Sequence, residues 1–115
     1  MILAEMVSLL DMVRAARVEL VEESGDGARR GKKLLRQAED YASELPLRVI
    51  EYPEALQTVT AVRTELGTCL LAADQLTEAG VDDALVTGVL RRGAGQAEQA
   101  LMLGVFGADR VGAEP

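Results

Sequence analysis

Four segments of the chain repeat apolar residues at spacings of three, four and seven, which is the periodicity of one face of an α-helix. They run from Ile2 to Glu22, from about Ala28 to Glu51, from Pro53 to residue 79, and from a cap at Asp82 or Asp83 to residue 106. Leu, Val and Ala supply most of the apolar positions. The pattern predicts four helices of similar length.

Local sequence predicts where several of these helices end. Ser24-Gly25-Asp26-Gly27 is typical of a turn, because glycine adopts positive φ and aspartate hydrogen-bonds to nearby backbone. Pro46 has no N–H to donate, so we expect a kink in the second helix, which then continues to Glu51. Pro53 suits the first turn of the third helix, and Gly80 suits its end.

Short connections, of roughly two to six residues, favour antiparallel neighbours among such helices. The expected fold class is therefore all-α, an antiparallel up-down-up-down four-helix bundle. The length of 115 residues is that of one ordinary domain. We predict a single domain over residues 1–106, followed by a flexible C-terminal tail over 107–115.

The residue types argue against catalysis. The chain has no histidine and a single cysteine, Cys69, so the commonest general base and the ligands of a structural zinc site are missing. Six carboxylates on two helices could hold Mg²⁺ with waters, but a solvated acidic face explains them with nothing further and is the favoured interpretation. These carboxylates are Glu19, Glu22, Glu23, Glu39, Asp40 and Glu44. We expect no enzymatic activity, no metal and no cofactor.

The formal net charge of −7 opposes association with nucleic acids and with anionic membranes. No apolar run approaches the roughly 20 residues that a bilayer span needs. Glu5 and Asp11 interrupt the apolar start of the sequence, which is unlike a signal peptide. We expect a cytoplasmic protein that does not contact membranes.

One basic cluster stands out against this acidic background, at the start of the second helix. It is a candidate contact for nucleic-acid phosphates or for an acidic partner protein. The alternative, which the net charge favours, is pairing with carboxylates of the same chain or of another subunit. The cluster comprises Arg29, Arg30, Lys32, Lys33 and Arg36.

The fourth helix contains three closely spaced glycines, each of which weakens a helix by about 1 kcal/mol relative to alanine. Close approach of a neighbouring helix or subunit would explain them, and a weak, frayed helix is the alternative. Apolar residues beside the core stripes, such as Leu9 and Val21, offer a second face to bury. The predicted subunit-interface residues are Gly88, Gly93, Gly95, Leu71 and Val86.

Two stretches, Leu45–Glu51 and Thr64–Ala72, match a known pattern through Pro46, Leu47, Val49 and Glu51 in the first and Glu65, Leu66 and Thr68 in the second. The chain resembles a four-helix-bundle family that includes proteins encoded in intervening sequences of 23S ribosomal RNA genes and the accessory variability determinant of diversity-generating retroelements. It departs from the family pattern at Arg48, Tyr52 and Ala61-Val62, where Asn, Gly and Gly-Ser are usual.

The resemblance implies a homo-oligomeric ring, commonly a pentamer, without enzymatic activity. Retroelement members of the family bind a reverse transcriptase and nucleic acid, but those members are basic and this chain is acidic. The leading hypothesis is a non-enzymatic oligomeric scaffold or adaptor that binds a protein partner. The alternative is a nucleic-acid-associated accessory protein that uses the basic cluster. A third class, a Mg²⁺-dependent hydrolase, would need carboxylates of different helices to converge.

Overall fold

The computed structural model describes the backbone of residues 2–21, 25–45 and 51–113. Side chains are described for residues 4–21, 25–45 and 51–105. It contains the helices α1 (Ile2–Leu20), α2 (Gly25–Glu44), α3 (Pro53–Glu78) and α4 (Asp83–Ala113). The described ranges contain no strand. The predicted all-α fold with four helices is confirmed.

The predicted ends of α3 are confirmed as well. Pro53 is its first residue, where a fixed φ and a missing N–H cost nothing. Beyond the other end, Gly80 adopts φ 75°, the left-handed conformation that glycine enters most easily. The N–H of Val81 then donates to the carbonyl of Leu76 at 3.0 Å, which closes the helix in a Schellman motif. After this turn α4 begins at Asp83, as predicted.

The predicted turn over residues 24–27 is wrong for its described part. The helix α2 begins at Gly25, three residues before the expected start, and Gly27 is buried. Asp26 lies in the first turn of α2, where a carboxylate interacts favourably with the helix dipole. Packing of these small residues outweighs their turn preference. At the preceding boundary, α1 ends at Leu20, two residues earlier than expected.

Two other predictions concern the segment before α3 and the C-terminal part of α4. The kink expected at Pro46 lies outside the described residues, and Glu51 lies in a turn just before α3. The helix α4 continues to Ala113, so the backbone over 107–113 is helical where a tail was expected. The flexibility of that segment and the domain boundary at 106 stay predictions.

All four helices contribute to one core. The helix α1 packs against α2 and α4, and α3 packs against the same two helices from the other side. Burying one Leu or Val completely contributes about 1.5–3 kcal/mol, so this core is the main source of stability. The largest fully buried side chains are Leu9, Leu10, Val13, Leu20, Leu35, Leu45, Val59, Val62, Leu66, Leu90 and Leu101.

Close contacts hold the C-terminal end of α1. A Cβ at Gly31 of α2 would overlap the side chain of Leu20, so glycine lets the two helices approach. On the other side, the guanidinium of Arg91 in α4 donates to the carbonyl of Leu20 at 2.7 Å. This bond satisfies a carbonyl that has no partner within its own helix. The end of α1 is therefore fixed by both neighbouring helices.

Candidate functional site

The outer face of α2 is densely charged. Among its exposed residues, Gln37 and Ser43 are the uncharged ones. The basic cluster lies in the first half of this face, and all its members except Lys33 contact carboxylates within the described part of the chain. Arg29 contacts Asp26, Arg30 lies 2.7 Å from Glu19, and Lys32 and Arg36 both contact Asp74. Intramolecular pairing thus engages most of the cluster.

Asp74 is the point where α2 and α3 are joined by charge. Its Oδ2 lies 2.8 Å from Nη2 of Arg36, and Lys32 contacts its Oδ1. The hydrogen bond from Lys32 and the two positive charges hold the pKa of the Asp74 carboxyl below its ordinary value. Both α2 and α3 thus contribute to one exposed ion-pair group. Sequence reasoning missed Asp74, because nothing local links it to residues nearly forty positions earlier.

The outer face formed by α3 and α4 is poor in charge. Between Gln57 and Gln75, Arg63 is the exposed charged residue, and Glu65 and Asp74 are half-buried. Between Ala84 and Leu103, Arg92 is exposed, and Arg91 and Glu98 are half-buried. The remaining exposed positions on this face are mostly Thr, Gln and small residues, with three aliphatic side chains, Leu71, Leu85 and Leu103, each at least 60% exposed. Depletion of charge is the compositional mark of a surface that becomes buried against another protein.

An open groove of about 250 Å³ runs between α3 and α4 on this face. At its base Gly93 meets Cys69 so closely that a Cβ at Gly93 would overlap the Cβ and Sγ of Cys69. Burial, together with the negative charges of Glu39 and Glu65, raises the pKa of the Cys69 thiol to about 11. The thiol is therefore neutral at physiological pH and unsuited to act as a nucleophile.

The predicted interface residues fall into two groups. Gly93 and Val86 are buried within the chain, where Gly93 packs against Cys69 of α3 and Val86 belongs to the core. Gly88 and Gly95 have open space around their Cα atoms, and Leu71 is 61% exposed. The close approach expected at the glycines thus occurs at Gly93 and is intramolecular. An interface role stays a prediction for Gly88, Gly95 and Leu71.

The residues predicted to form a second apolar face beside the core stripes are partly buried in the core and partly exposed. Leu9 is fully buried, like Val86, so that part of the prediction is wrong. Val21 and Leu71 are exposed, as the prediction requires. The difference arises because each helix packs against at least two others, which widens the buried stripe beyond the narrow one assumed from spacing alone.

The residues that carry the family resemblance are spread over several environments. Leu66 is fully buried in the core, whereas Glu65 and Thr68 line the groove between α3 and α4. Glu51 is exposed in the turn before α3. Pro46, Leu47 and Val49 lie outside the described residues.

The described residues were compared with the requirements of a metal site and of a membrane span. Within them, no group of three or more His, Cys, Asp or Glu side chains is arranged to hold a metal ion. In the same part of the chain, no helix combines the length and the apolar character that a membrane span requires. Of the carboxylates considered for Mg²⁺, Glu19 instead pairs with Arg30, and Glu22 and Glu23 lie outside the description.

No protein-family model, curated protein or solved structure shows significant similarity to this chain.

Proposed function

We propose that this chain is a non-enzymatic scaffold in the cytoplasm, which assembles with copies of itself and binds a protein partner. Its subunit is an antiparallel up-down-up-down four-helix bundle of the kind found in the intervening-sequence and accessory-variability-determinant family. A pentameric ring is the assembly that the family resemblance favours.

Contacts between opposite helix ends support the antiparallel arrangement. The guanidinium of Arg91, early in α4, donates to the carbonyl of Leu20 at the end of α1. A Cβ at Gly104, late in α4, would lie 2.6 Å from Thr58 at the start of α3. The ion pair of Arg30 with Glu19 likewise joins the start of α2 to the end of α1. Each of these contacts matches the late part of one helix with the early part of its neighbour.

The charge-poor outer face of α3 and α4 carries the proposal. Burying a charged side chain without a partner costs several kcal/mol, whereas Thr, Gln and Leu are removed from water at much lower cost. Leu71 gives this face an exposed aliphatic side chain, and Gly88 and Gly95 leave space for a neighbouring helix to approach. We assign the contact between copies to this face.

A second exposed surface suits the protein partner. Val7 and Val18 are eleven residues apart, which places them on one side of α1, and Val21 follows in the turn after the helix. Val18 and Val21 are each more than 70% exposed. Asp11 and Arg14 lie on the same side. Mixed aliphatic and charged surfaces of this kind are typical of non-obligate protein contacts.

The alternative function, binding of nucleic acid through the basic cluster, has weaker support. Four of its five cations already contact carboxylates of the same chain. A phosphate would have to compete with those carboxylates, and the net charge of −7 adds repulsion. Salt-dependent binding of RNA or DNA that is lost when Arg29, Arg30, Lys32 and Lys33 are neutralised would favour this alternative over the scaffold.

The native mass in solution tests the scaffold. Light scattering on a size-exclusion column, at two protein concentrations, should give a stable particle of about five subunits. Leu71→Asp places a charge on the proposed contact face and should reduce the mass. Val18→Asp is the matched control, because it places the same charge on an equally exposed aliphatic position of α1. A monomeric wild-type protein would overturn the proposal.

A further inference from the structure

The outer face of α2 changes sign along its length. Arg29, Lys33 and Arg36 occupy its first half, and Asp40 and Glu44 occupy its second half. All five residues are exposed, and spacings of three and four residues place them on one face of the helix. The surface is therefore a stripe with a positive end and a negative end.

The charges at both ends of this stripe are available to a partner. Lys33, Asp40 and Glu44 form no ion pair with any residue that the structure describes, and Arg29 contacts only Asp26 of its own helix there. Arg30 and Lys32 lie beside the stripe and form ion pairs with carboxylates of α1 and α3, respectively. Arg36 is also paired, with Asp74 of α3, so Lys33, Asp40 and Glu44 are the members of the stripe that no described residue compensates.

We propose that this stripe binds the same stripe of a second copy of the chain, with the two α2 helices antiparallel across a two-fold axis. A two-fold contact brings residue i of one copy to residue j of the other and j to i. With the axis near residues 36 and 37, Lys33 faces Asp40 of the second copy and Arg29 faces its Glu44. Each pair occurs twice. The two Arg36 side chains lie closest to the axis, where each is already paired with Asp74 of its own chain.

The same arrangement compensates the cationic start of α2. Positive side chains near a helix N-terminus oppose the helix dipole. In the antiparallel pair, the negative C-terminal end of the second α2 lies beside them. Because exposed ion pairs contribute little individually, the stripe sets the orientation of the two copies, and we expect a weak dimer that dissociates as salt is added.

This pairing deepens the proposed self-association but uses a surface other than the α3 and α4 face, so the two can fail separately. If Leu71→Asp leaves the mass unchanged, the proposed ring contact is contradicted and the α2 pairing is unaffected. If Leu71→Asp reduces the assembly to a dimer that charge reversal on α2 then dissociates, both surfaces are interfaces.

Charge reversal with rescue in trans tests the pairing. Lys33→Glu faces Asp40 with a like charge, and Asp40→Lys faces Lys33 with a like charge, so each variant alone should self-associate about tenfold more weakly at low salt. In an equimolar mixture of the two variants, the two introduced side chains meet across the axis with opposite charges. The unchanged Asp40 of one variant likewise meets the unchanged Lys33 of the other. With Leu71→Asp added to every variant to remove the proposed ring contact, sedimentation equilibrium should therefore show heterodimers that form as readily as the dimer of Leu71→Asp alone.

Asp11→Lys is the matched control for Asp40→Lys, since it makes the same charge change at an exposed position of α1, outside both proposed contacts between copies, and should leave the association unchanged. A mixture that associates no better than its components would overturn the pairing, as would Leu71→Asp protein that shows no salt-sensitive dimer. Asp40→Lys also separates this proposal from nucleic-acid binding. It would strengthen binding to a phosphate backbone but should weaken self-association.

Discussion

The outer face of α2 and the outer face of α3 and α4 belong to the same bundle but expose different chemistry. Arg29, Lys33, Asp40 and Glu44 project from α2, whereas the opposite face exposes mainly Thr and Gln around Leu71. Charges on the first face stay hydrated and act over several ångströms, so they orient a partner. The second face can be dehydrated at low cost, so it can contribute affinity. A scaffold needs both properties.

The contacts that connect neighbouring helices beneath the two faces also differ, since one is ionic and the other is steric. Lys32 and Arg36 join α2 to α3 through Asp74 at the surface, where water and salt weaken the attraction. Gly93 and Cys69 join α4 to α3 through direct steric contact. The steric contact is insensitive to salt but tolerates no added atom. The ion pairs tolerate substitution, but their strength depends on salt and pH.

The largest expected effects concern the core that both regions share. Leu35→Ala in α2 and Leu66→Ala in α3 each remove a fully buried side chain, and each should lower the free energy of unfolding by about 2–5 kcal/mol. Urea unfolding followed by circular dichroism measures both. A cost below about 1 kcal/mol for Leu35→Ala would mean that α2 does not share the core of α3.

The next largest effect is expected at the steric contact between Gly93 and Cys69. Gly93→Ala should destabilise the fold by about 1–3 kcal/mol, because its Cβ overlaps Cys69. Gly88→Ala and Gly95→Ala meet no neighbouring atom, so each should stabilise α4 by up to about 1 kcal/mol. Thermal unfolding of the three variants compares them under one condition. The same sign at all three positions would contradict the contact between Gly93 and Cys69.

The pKa of Cys69 gives a smaller effect that appears only at alkaline pH. The thiol of an unfolded chain has a pKa of about 8.5, whereas burial raises the pKa of Cys69 to about 11 in the fold. The resulting stability is fully present below about pH 8.5 and is lost as pH rises toward 11, by about 1 kcal/mol per pH unit. Urea unfolding at about pH 8, 9 and 10 should show this loss, and Cys69→Ala should lack that component.

The ion pairs of Asp74 should have the smallest effect on the free energy of unfolding. The lowered pKa of Asp74 means that its stabilising contribution is present above about pH 3.9 and is lost as pH falls further. Because the pairs are exposed, Asp74→Asn should cost less than about 1 kcal/mol at neutral pH. Repeating the urea unfolding in about 0.5 M NaCl should remove most of that difference. A salt-independent cost would indicate that Asp74 acts through packing.

The helix boundaries that were predicted correctly depend on local chemistry. Pro53 and Gly80 act through their own backbone, so their neighbours in the chain suffice to place the ends of α3. Gly25 and Gly27 were misjudged because packing, which is not local, overrides their turn preference. For the same reason, spacing along α4 could not distinguish Gly93 from Gly88. The contact with Cys69 that separates them comes from another helix.

The bond between Arg91 and the carbonyl of Leu20 joins residues seventy-one positions apart. During synthesis on the ribosome, Leu20 emerges long before Arg91 exists, and α1 lacks one of the two helices against which it packs until α4 is made. The first half of the chain therefore has part of its apolar surface uncovered until α4 has been synthesised. Chaperone demand on this protein should accordingly be greatest for nascent chains that stop before α4.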